Sequence, residues 1–148
     1  MSLNEKIAQD LKTAMKGRDA LRLSALRMLR SAMKNLQVEK GRELTDEEIH
    51  SVIGSMVRKG TEAAEEFRRG GREDLARKEE KEVEIFYAYL PQQLTSETIE
   101  TTLRDIIKDL SAQGPKDMGR VMKAAMAKMA GQAQGKTVSE IAKKILSA

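Results

Sequence analysis

The sequence predicts an all-α protein, built from two helical parts that meet near Leu90–Pro91. Three observations support this fold class. The composition is rich in Leu, Ala, Glu, Lys and Met, which favour helices, while only 3% of residues are aromatic. Apolar residues recur every three or four positions, as on one face of a helix. Capping residues, glycines and prolines separate these stretches at intervals typical of globular helices.

Capping residues and glycines mark the first two helices. Ser2 followed by Glu5 forms a capping box that begins the first helix, because each side chain satisfies a backbone N–H group of the other. Gly17 is predicted to end this helix. Asp19 is predicted to cap a second, longer helix that ends near Gly41.

The third and fourth helices complete the first part. Thr45 followed by Glu48 forms a second capping box, and the helix that it begins runs to a break at Gly70–Gly71. A fourth helix is predicted from about residue 72 to residue 89, and Pro91 stops it. The residue before a proline is biased to extended geometry, so we place a domain boundary here, between residues 1–91 and 92–148.

Three shorter helices are predicted in the second part. Thr95 or Ser96 caps a fifth helix, which Gly114–Pro115 closes. Asp117 is predicted to cap a sixth helix, and a seventh follows Gly135. Three short helices with tight links predict a compact C-terminal bundle.

Charge is unevenly distributed along the chain, which carries a net charge of +4. Residues 1–40 hold nine basic and four acidic residues, and residues 41–90 hold nine and thirteen. Residues 91–148 hold nine basic and six acidic residues. Two basic ends that flank an acidic middle are compatible with a nucleic-acid partner or an acidic protein partner.

Several classes of site are disfavoured. The chain has no Cys, so it has no disulfide, thiolate nucleophile or cysteine-bound metal. The single histidine, His50, has no nucleophile paired with it in sequence, and a solvated helix face explains Glu62, Glu65 and Glu66 better than a metal site. We therefore predict no catalytic residue, no metal and no cofactor. Charged residues interrupt the N-terminus and no apolar run approaches about 20 residues, which predicts a cytoplasmic protein without a membrane span.

The glycine-rich segment before the seventh helix resembles a phosphate-binding loop but departs from it. Gly131 and Gly135 are separated by three residues instead of four, and a helix precedes them where a strand is required. The simplest interpretation is a turn between helices. A second interpretation stays open, in which Lys136 and the N–H groups at the helix start touch a phosphate of a larger ligand.

The second helix carries an ordered row of cations. At about 100° per residue, Arg27, Arg30 and Lys34 project within roughly 60° of one another. Arginine binds phosphate oxygens through two nitrogens, so this row suits an RNA backbone. The alternative is a solvated helix flank whose partners are Glu39 and acidic residues of the third helix.

The sixth helix has a methionine face and a basic face. Lys116, Arg120 and Lys123 point away from four methionines that lie within about 80° of one another, namely Met118, Met122, Met126 and Met129. The sequence leaves open whether the methionines form core or a docking surface. Residues 114–148 contain seven basic and two acidic residues and no aromatic residue, which favours contacts to RNA backbone over stacking on bases.

Five segments together resemble the YqeY-like proteins, and the resemblance covers essentially the whole chain. They are Leu26-Arg27-Met28-Leu29, Lys34-Asn35, Tyr89-Leu90-Pro91-Gln92-Gln93-Leu94, Asp117-Met118-Gly119-Arg120-Val121-Met122 and the Gly131–Gly135 loop. The sequence departs from the family at Gly60, where a further Arg is expected. That departure, together with a second mid-helix glycine at Gly54, weakens the case for an RNA surface on the third helix.

The YqeY-like family is similar to the C-terminal tail of GatB, a subunit of the glutamine-dependent tRNA amidotransferase. This resemblance implies an elongated helical N-terminal domain, a three-helix C-terminal domain and a contact with tRNA. It implies no catalysis, since the active site of GatB lies in a larger domain that this chain is too short to contain. A family label of carbon–nitrogen ligase activity with glutamine as amido-N-donor is expected by inheritance.

The leading hypothesis is a non-catalytic tRNA-binding accessory module that cooperates with an amidotransferase or an aminoacyl-tRNA synthetase. The predicted nucleic-acid-binding residues are Arg27, Arg30, Lys34, Lys116, Arg120, Lys123 and Lys136. The alternative is a helical protein–protein adaptor that docks a partner through its methionine face or its acidic middle. A third possibility, an amido-transferring enzyme, lacks a nucleophile, a donor site and a phosphate site.

Overall fold

The computed structural model describes residues 1–129 and 131–148. These residues form seven α-helices, one short 3₁₀ turn and no strand, which confirms the all-α fold class. The helices are α1 (Leu3–Lys16), α2 (Ala20–Lys40), α3 (Asp46–Arg69), α4 (Glu73–Tyr87), α5 (Ser96–Leu110), α6 (Met118–Lys128) and α7 (Gly135–Ser147), and the 3₁₀ turn spans Pro115–Asp117.

Both predicted capping boxes are present. The Ser2 hydroxyl accepts a hydrogen bond from the Glu5 N–H at 3.1 Å, and the Glu5 carboxylate accepts one from the Ser2 N–H at 3.4 Å. The Thr45 hydroxyl accepts from the Glu48 N–H at 3.2 Å, and the return bond to Glu48 is 2.9 Å. Local sequence therefore fixes where α1 and α3 begin.

Two helix ends differ from prediction in the residue that takes the left-handed conformation. After α1 it is Arg18 (φ 53°), while Gly17 stays right-handed at φ −80°. After α5 it is Ser111 (φ 53°), three residues before the predicted glycine. The N–H group of Ser111 bonds to the carbonyl of Ile107, which helps to offset the steric cost of a side chain in the left-handed conformation.

The fourth helix ends at Tyr87, two residues earlier than predicted.

The chain divides into two compact units, Met1–Leu90 and Pro91–Ala148. That each unit is an independently folding domain stays a prediction. The core of the first unit consists of buried side chains from α1 to α4 and the turn that follows, namely Ile7, Ala14, Ala25, Leu26, Leu29, Met33, Ile49, Ile53, Val57, Val83, Phe86 and Tyr89.

Gly60 is a close-packing position between α3 and α4. It is buried, and a Cβ atom on it would lie 2.6 Å from Cγ2 of Val83. An arginine, which the family resemblance leads one to expect here, has no room for its side chain. Nothing in the structure explains Gly54, whose surroundings are open.

In the second unit, α5, α6 and α7 enclose their own core. Met129 is buried, and Met118, Met122 and Met126 are half-buried against that core. The methionine face is therefore mainly core, and it offers little as a docking surface.

The first residues of this unit are tied to the loop before α7. The Gln93 side-chain amide donates to the Pro91 carbonyl at 2.8 Å and to the Gly131 carbonyl at 2.9 Å. The Leu94 N–H donates to the Gln132 carbonyl at 2.8 Å. Two of the sequence segments that resemble the family thus meet in space.

Candidate nucleic-acid interface

The row of cations on α2 is exposed to solvent. Ala25, Leu26, Leu29 and Met33 face the core. Among the residues that the structure describes, Arg27, Arg30 and Lys34 form no ion pair. Neither Glu39 nor the acidic residues of the third helix pair with this row, so the alternative that stays open is a solvated helix flank without those partners.

Five carboxylates of α3 and α4 have other partners among the described residues, namely Glu48, Glu65, Glu73, Asp74 and Glu80. Glu48 binds Arg42 at 2.7 Å and Lys40 at 2.8 Å. The hydrogen bond from Arg42, and after it the one from Lys40, holds the pKa of the Glu48 carboxyl far below its usual range. Arg68 binds Glu73 at 2.9 Å and also binds Glu80. The bonds to the two carboxylates raise the pKa of the Arg68 guanidinium. Part of the acidic middle of the chain thus pairs with cations close to it, some of them in the hairpin itself and two, Lys40 and Arg42, just before it.

Two adjoining grooves run along α2 and meet at Ser31. The first, of about 680 Å³, is mostly apolar and is lined by Ala20, Leu23, Ser24, Arg27, Met28, Ser31, Ala32 and Asn35. The second, of about 450 Å³, is mostly polar and is lined by Asn4, Arg30, Ser31, Met33, Lys34 and Gln37. No Asp or Glu lines either groove.

In the second unit, three of the four predicted cations are free. Lys116, Lys123 and Lys136 are exposed, and within the described ranges none forms an ion pair. Arg120 differs, because it binds the Asp117 carboxylate at 3.1 Å and the Leu110 carbonyl at 3.4 Å. Arg120 is therefore held by its own chain and is the weakest of the predicted phosphate contacts.

Asp117 does not cap α6 through its side chain, contrary to prediction. Its carboxylate accepts a hydrogen bond from the Gln113 N–H at 2.9 Å and closes the loop before α6 instead. This backbone bond, followed by Arg120, keeps the pKa of the Asp117 carboxyl below its ordinary value. The carboxylate is thus committed to the loop and to Arg120.

Lys136 is the second residue of α7, which begins at Gly135. Gln134 makes no side-chain hydrogen bond to the first turn of this helix. The preceding glycine segment follows α6, so the strand that a nucleotide-binding loop requires is missing at this position.

Two residues that sequence reasoning did not single out are buried and polar. The Tyr89 hydroxyl donates to Asp10 at 2.6 Å and joins the turn after α4 to α1. Burial and this bond raise the pKa of Tyr89. Glu82 is only 5% exposed, and burial raises the pKa of its carboxyl. The Tyr-Leu-Pro segment gave a signal for Tyr89, whereas no sequence pattern distinguished Glu82 from its exposed neighbours.

No candidate catalytic or metal centre emerges from the residues that are described. His50 is half-buried in the first turns of α3. No group of three or more His, Asp or Glu residues in these ranges is arranged to hold a metal ion. Separately, none of the described helices has the length and apolar content needed to cross a membrane.

Comparison with known proteins gives one family and a set of fungal relatives. The family model described as Yqey-like protein matches residues 4–146. A protein of Lachancea thermotolerans named altered inheritance of mitochondria protein 41, mitochondrial, is 31% identical over 112 residues, which cover 74% of this chain and 60% of the relative. The protein of that name in Candida glabrata is 32% identical, over 74% of this chain and 62% of its own length. This chain thus spans about 60% of the length of these curated relatives.

These relatives contradict the cytoplasmic location predicted from the sequence, because each is named as a mitochondrial protein. A third relative, from Pyrenophora tritici-repentis, carries the same name and is 27% identical over 86% of this chain and 71% of its own length. The prediction rested on an N-terminus without a secretory apolar stretch. That feature does not bear on mitochondrial import, which uses charged amphipathic segments, so the prediction of a cytoplasmic protein was wrong.

Proposed function

This chain belongs to the YqeY-like protein family, and from that premise we propose that it is a non-catalytic tRNA-binding accessory module. The observation that carries the proposal is the set of unpaired lysines on the second unit. Lys116, Lys123 and Lys136 are exposed, and among the described residues none of them forms an ion pair with a carboxylate. The resemblance to the tail of GatB supports tRNA as the polyanion.

The charge balance of this unit supports contacts with phosphate. Residues 114–148 contain only two acidic residues, and one of them, Asp117, is already bound to Arg120. Lysine is a compact, strongly hydrated charge on a flexible stem, so it positions a phosphate without reading a base. A folded RNA backbone therefore suits the unit better than a splayed single strand, for which it has no aromatic platform.

The partner of such a module is an enzyme that acts on the same tRNA. We propose an amidotransferase or an aminoacyl-tRNA synthetase, on the strength of the family resemblance. A label of carbon–nitrogen ligase activity with glutamine as amido donor then describes the assembly and not this chain.

Titration of the protein with unfractionated tRNA at several salt concentrations tests the proposal. Each phosphate contact contributes about 0.7–0.9 to the slope of log affinity against log salt, so replacing Lys116, Lys123 and Lys136 together with Ala is expected to lower the slope by about 2–3. The matched control replaces Lys59, Lys78 and Lys81, which are exposed on α3 and α4, and removes the same charge.

The two variants separate a specific surface from general attraction. The expected result is a loss of affinity for all tRNA species in the first variant and little change in the control. Equal losses in both variants, or binding that does not respond to salt, would contradict the proposal.

A second function, the protein–protein adaptor, is favoured by one observation. The first groove on α2 is mostly apolar, and a phosphate backbone forms no favourable contact with an apolar lining.

The sequence also predicts Arg27, Arg30 and Lys34 as phosphate contacts. This stays a prediction, which the variants of Arg27 and Lys34 test.

A further inference from the structure

The side of α2 that faces away from the core carries no charge along nearly its whole length. Its members share an orientation within about 80° and are all exposed. They are Ala20, Ser24, Met28, Ser31, Asn35 and Val38. At about 1.5 Å per residue they span about 27 Å, or five turns of helix.

An uncharged exposed face of this length is unusual for this chain, in which 34% of residues are charged. Met28 is 42% exposed and Val38 is 74% exposed, so two large apolar side chains stand in water on one helix. The outer face of α3, by contrast, is occupied by charged residues such as Arg58, Glu62 and Glu66. Burial of the α2 face against a partner would remove apolar surface from water.

The basic side chains beside this face lie on one flank, and Glu39 borders the other flank at the C-terminal end of the helix. Arg27, Arg30 and Lys34 follow one edge of it and form no ion pair within the described part of the chain. The groove at the centre is mostly apolar, and Met28 supplies an adaptable side chain to its lining. An uncharged, partly apolar strip with a cationic edge is complementary to a helix that has an apolar stripe and an acidic edge.

We propose that this face of α2, independently of the tRNA-binding function, docks an amphipathic helix of a partner protein whose flank is acidic. A nucleic acid would use the cationic edge but leave the apolar side chains of Met28 and Val38 exposed. A second copy of the chain packed α2 against α2 would bring another cationic edge and only one acidic residue, Glu39, beside the face. An acidic amphipathic helix satisfies both features together.

A pair of synthetic helical probes tests the proposal on the full chain. Both peptides are about 18 residues long, to match the length of the face, and carry leucines at helical spacing. One carries Glu along a single flank and the other carries Lys at the same positions. Fluorescence anisotropy is expected to show binding of the Glu peptide and binding at least about tenfold weaker of the Lys peptide.

Charge reversal provides the decisive variant. Arg27→Glu combined with Lys34→Glu should weaken binding of the Glu peptide by about tenfold or more and should allow the Lys peptide to bind. The matched control, Arg58→Glu with Lys59→Glu, changes the net charge equally on exposed positions of α3 and should leave the preference intact.

A second pair of variants tests the uncharged strip itself. Ser31→Asp, in the shared part of the two grooves, should abolish binding of the Glu peptide, whereas Ser51→Asp on the exposed side of α3 should not. Circular dichroism confirms that each variant is folded. Equal binding of both peptides, binding of neither, or a preference that charge reversal leaves unchanged would overturn the proposal.

Two further outcomes would assign the face to another occupant. Sedimentation that shows a dimer of this chain, dissociated by Ser31→Asp, would replace the partner helix with a second copy. A loss of tRNA affinity in the Arg27→Glu, Lys34→Glu variant as large as that from the lysines of the second unit would assign the row to RNA. Neither of these two outcomes affects the test of the second unit, in which tRNA is titrated against the lysine variants.

Discussion

Residues 41–90 and the C-terminal unit contain the same number of basic residues but pair them with carboxylates to different extents. Residues 41–90 and residues 91–148 each hold nine Lys and Arg. In the hairpin and the loop before it, Arg42, Arg68, Arg69, Arg72 and Arg77 bind nearby carboxylates. In the C-terminal unit, within the residues described, only Arg104 and Arg120 do so. The number of charges therefore says little about a partner, whereas their pairing says which charges are available to one.

The largest expected effect comes from disturbing the close approach of α3 and α4. Gly60→Leu forces a side chain against Val83, whose χ1 is stiff, and is expected to lower the free energy of unfolding by about 3 kcal/mol. Urea denaturation measures it. Gly54→Ala, at an open position, should instead raise stability by about 0.5–1 kcal/mol. If Gly60→Leu proved neutral, close packing of the hairpin would not explain this glycine.

A smaller effect is expected at the buried polar link between α1 and the turn after α4. Tyr89→Phe removes the hydrogen bond to Asp10 while keeping the ring, and should cost about 1–2 kcal/mol in the free energy of unfolding. Tyr87→Phe, in a half-exposed neighbour, is the control and should cost almost nothing. If Tyr89→Phe cost no more than Tyr87→Phe, the hydrogen bond to Asp10 would contribute no more to stability than the bonds to water that the Tyr89 hydroxyl makes in the unfolded chain.

Glu82 is a buried carboxyl of the first unit, only 5% exposed, and it forms no ion pair among the described residues. Burial raises the pKa of its carboxyl in the folded protein above the unfolded value, so the ionised form destabilises the fold. Lowering the pH through that raised pKa protonates Glu82 and should therefore remove the destabilisation. The destabilisation returns as the pH rises and the carboxyl ionises again. Glu82→Gln should raise the melting temperature near pH 7, and its advantage over the parent protein should shrink as the pH falls. Glu84→Gln, exposed on the same helix, should show no such trend.

The smallest expected effect is the contribution of exposed ion pairs to stability, which depends on the salt concentration. Arg68→Gln should lower the urea midpoint at low salt, and this loss should fade at about 1 M NaCl, where the Debye length is about 3 Å. Lys123→Gln removes a cation without an internal partner and should leave the midpoint unchanged or slightly higher at low salt. Identical salt dependence in the two variants would remove the contrast between the two regions.

Local signals in the sequence predicted most of the fold but few of its tertiary contacts. Capping boxes at Ser2 and Thr45 act through neighbouring residues, so they could be identified without a structure. The left-handed residue after α5 could not, because a loop bond between Gln113 and Asp117 reshapes the turn that glycine was expected to make. The burial of Gly60 depends on Val83, which lies in another helix.

For the cations on α2, the sequence predicted their alignment on one side of the helix but not whether they have partners. Helical spacing places Arg27, Arg30 and Lys34 together, but their lack of partners depends on where the carboxylates of α3 point. For the same reason Arg120 looked equivalent to Lys123 in the sequence. The pair that it forms with Asp117 makes it different.

The hydrogen bonds of Gln93 bear on the order in which the second unit assembles during synthesis. Its side-chain amide finds an acceptor in Gly131, 38 residues further along the chain, and the neighbouring Leu94 amide finds one in Gln132. When α5 leaves the ribosome, these acceptors have not yet been made. Contacts so distant in sequence form late, because the intervening segment must be ordered first. This unit should thus reach its native state only after translation has passed α6, and a ribosome paused before that point should display a protease-sensitive C-terminal segment.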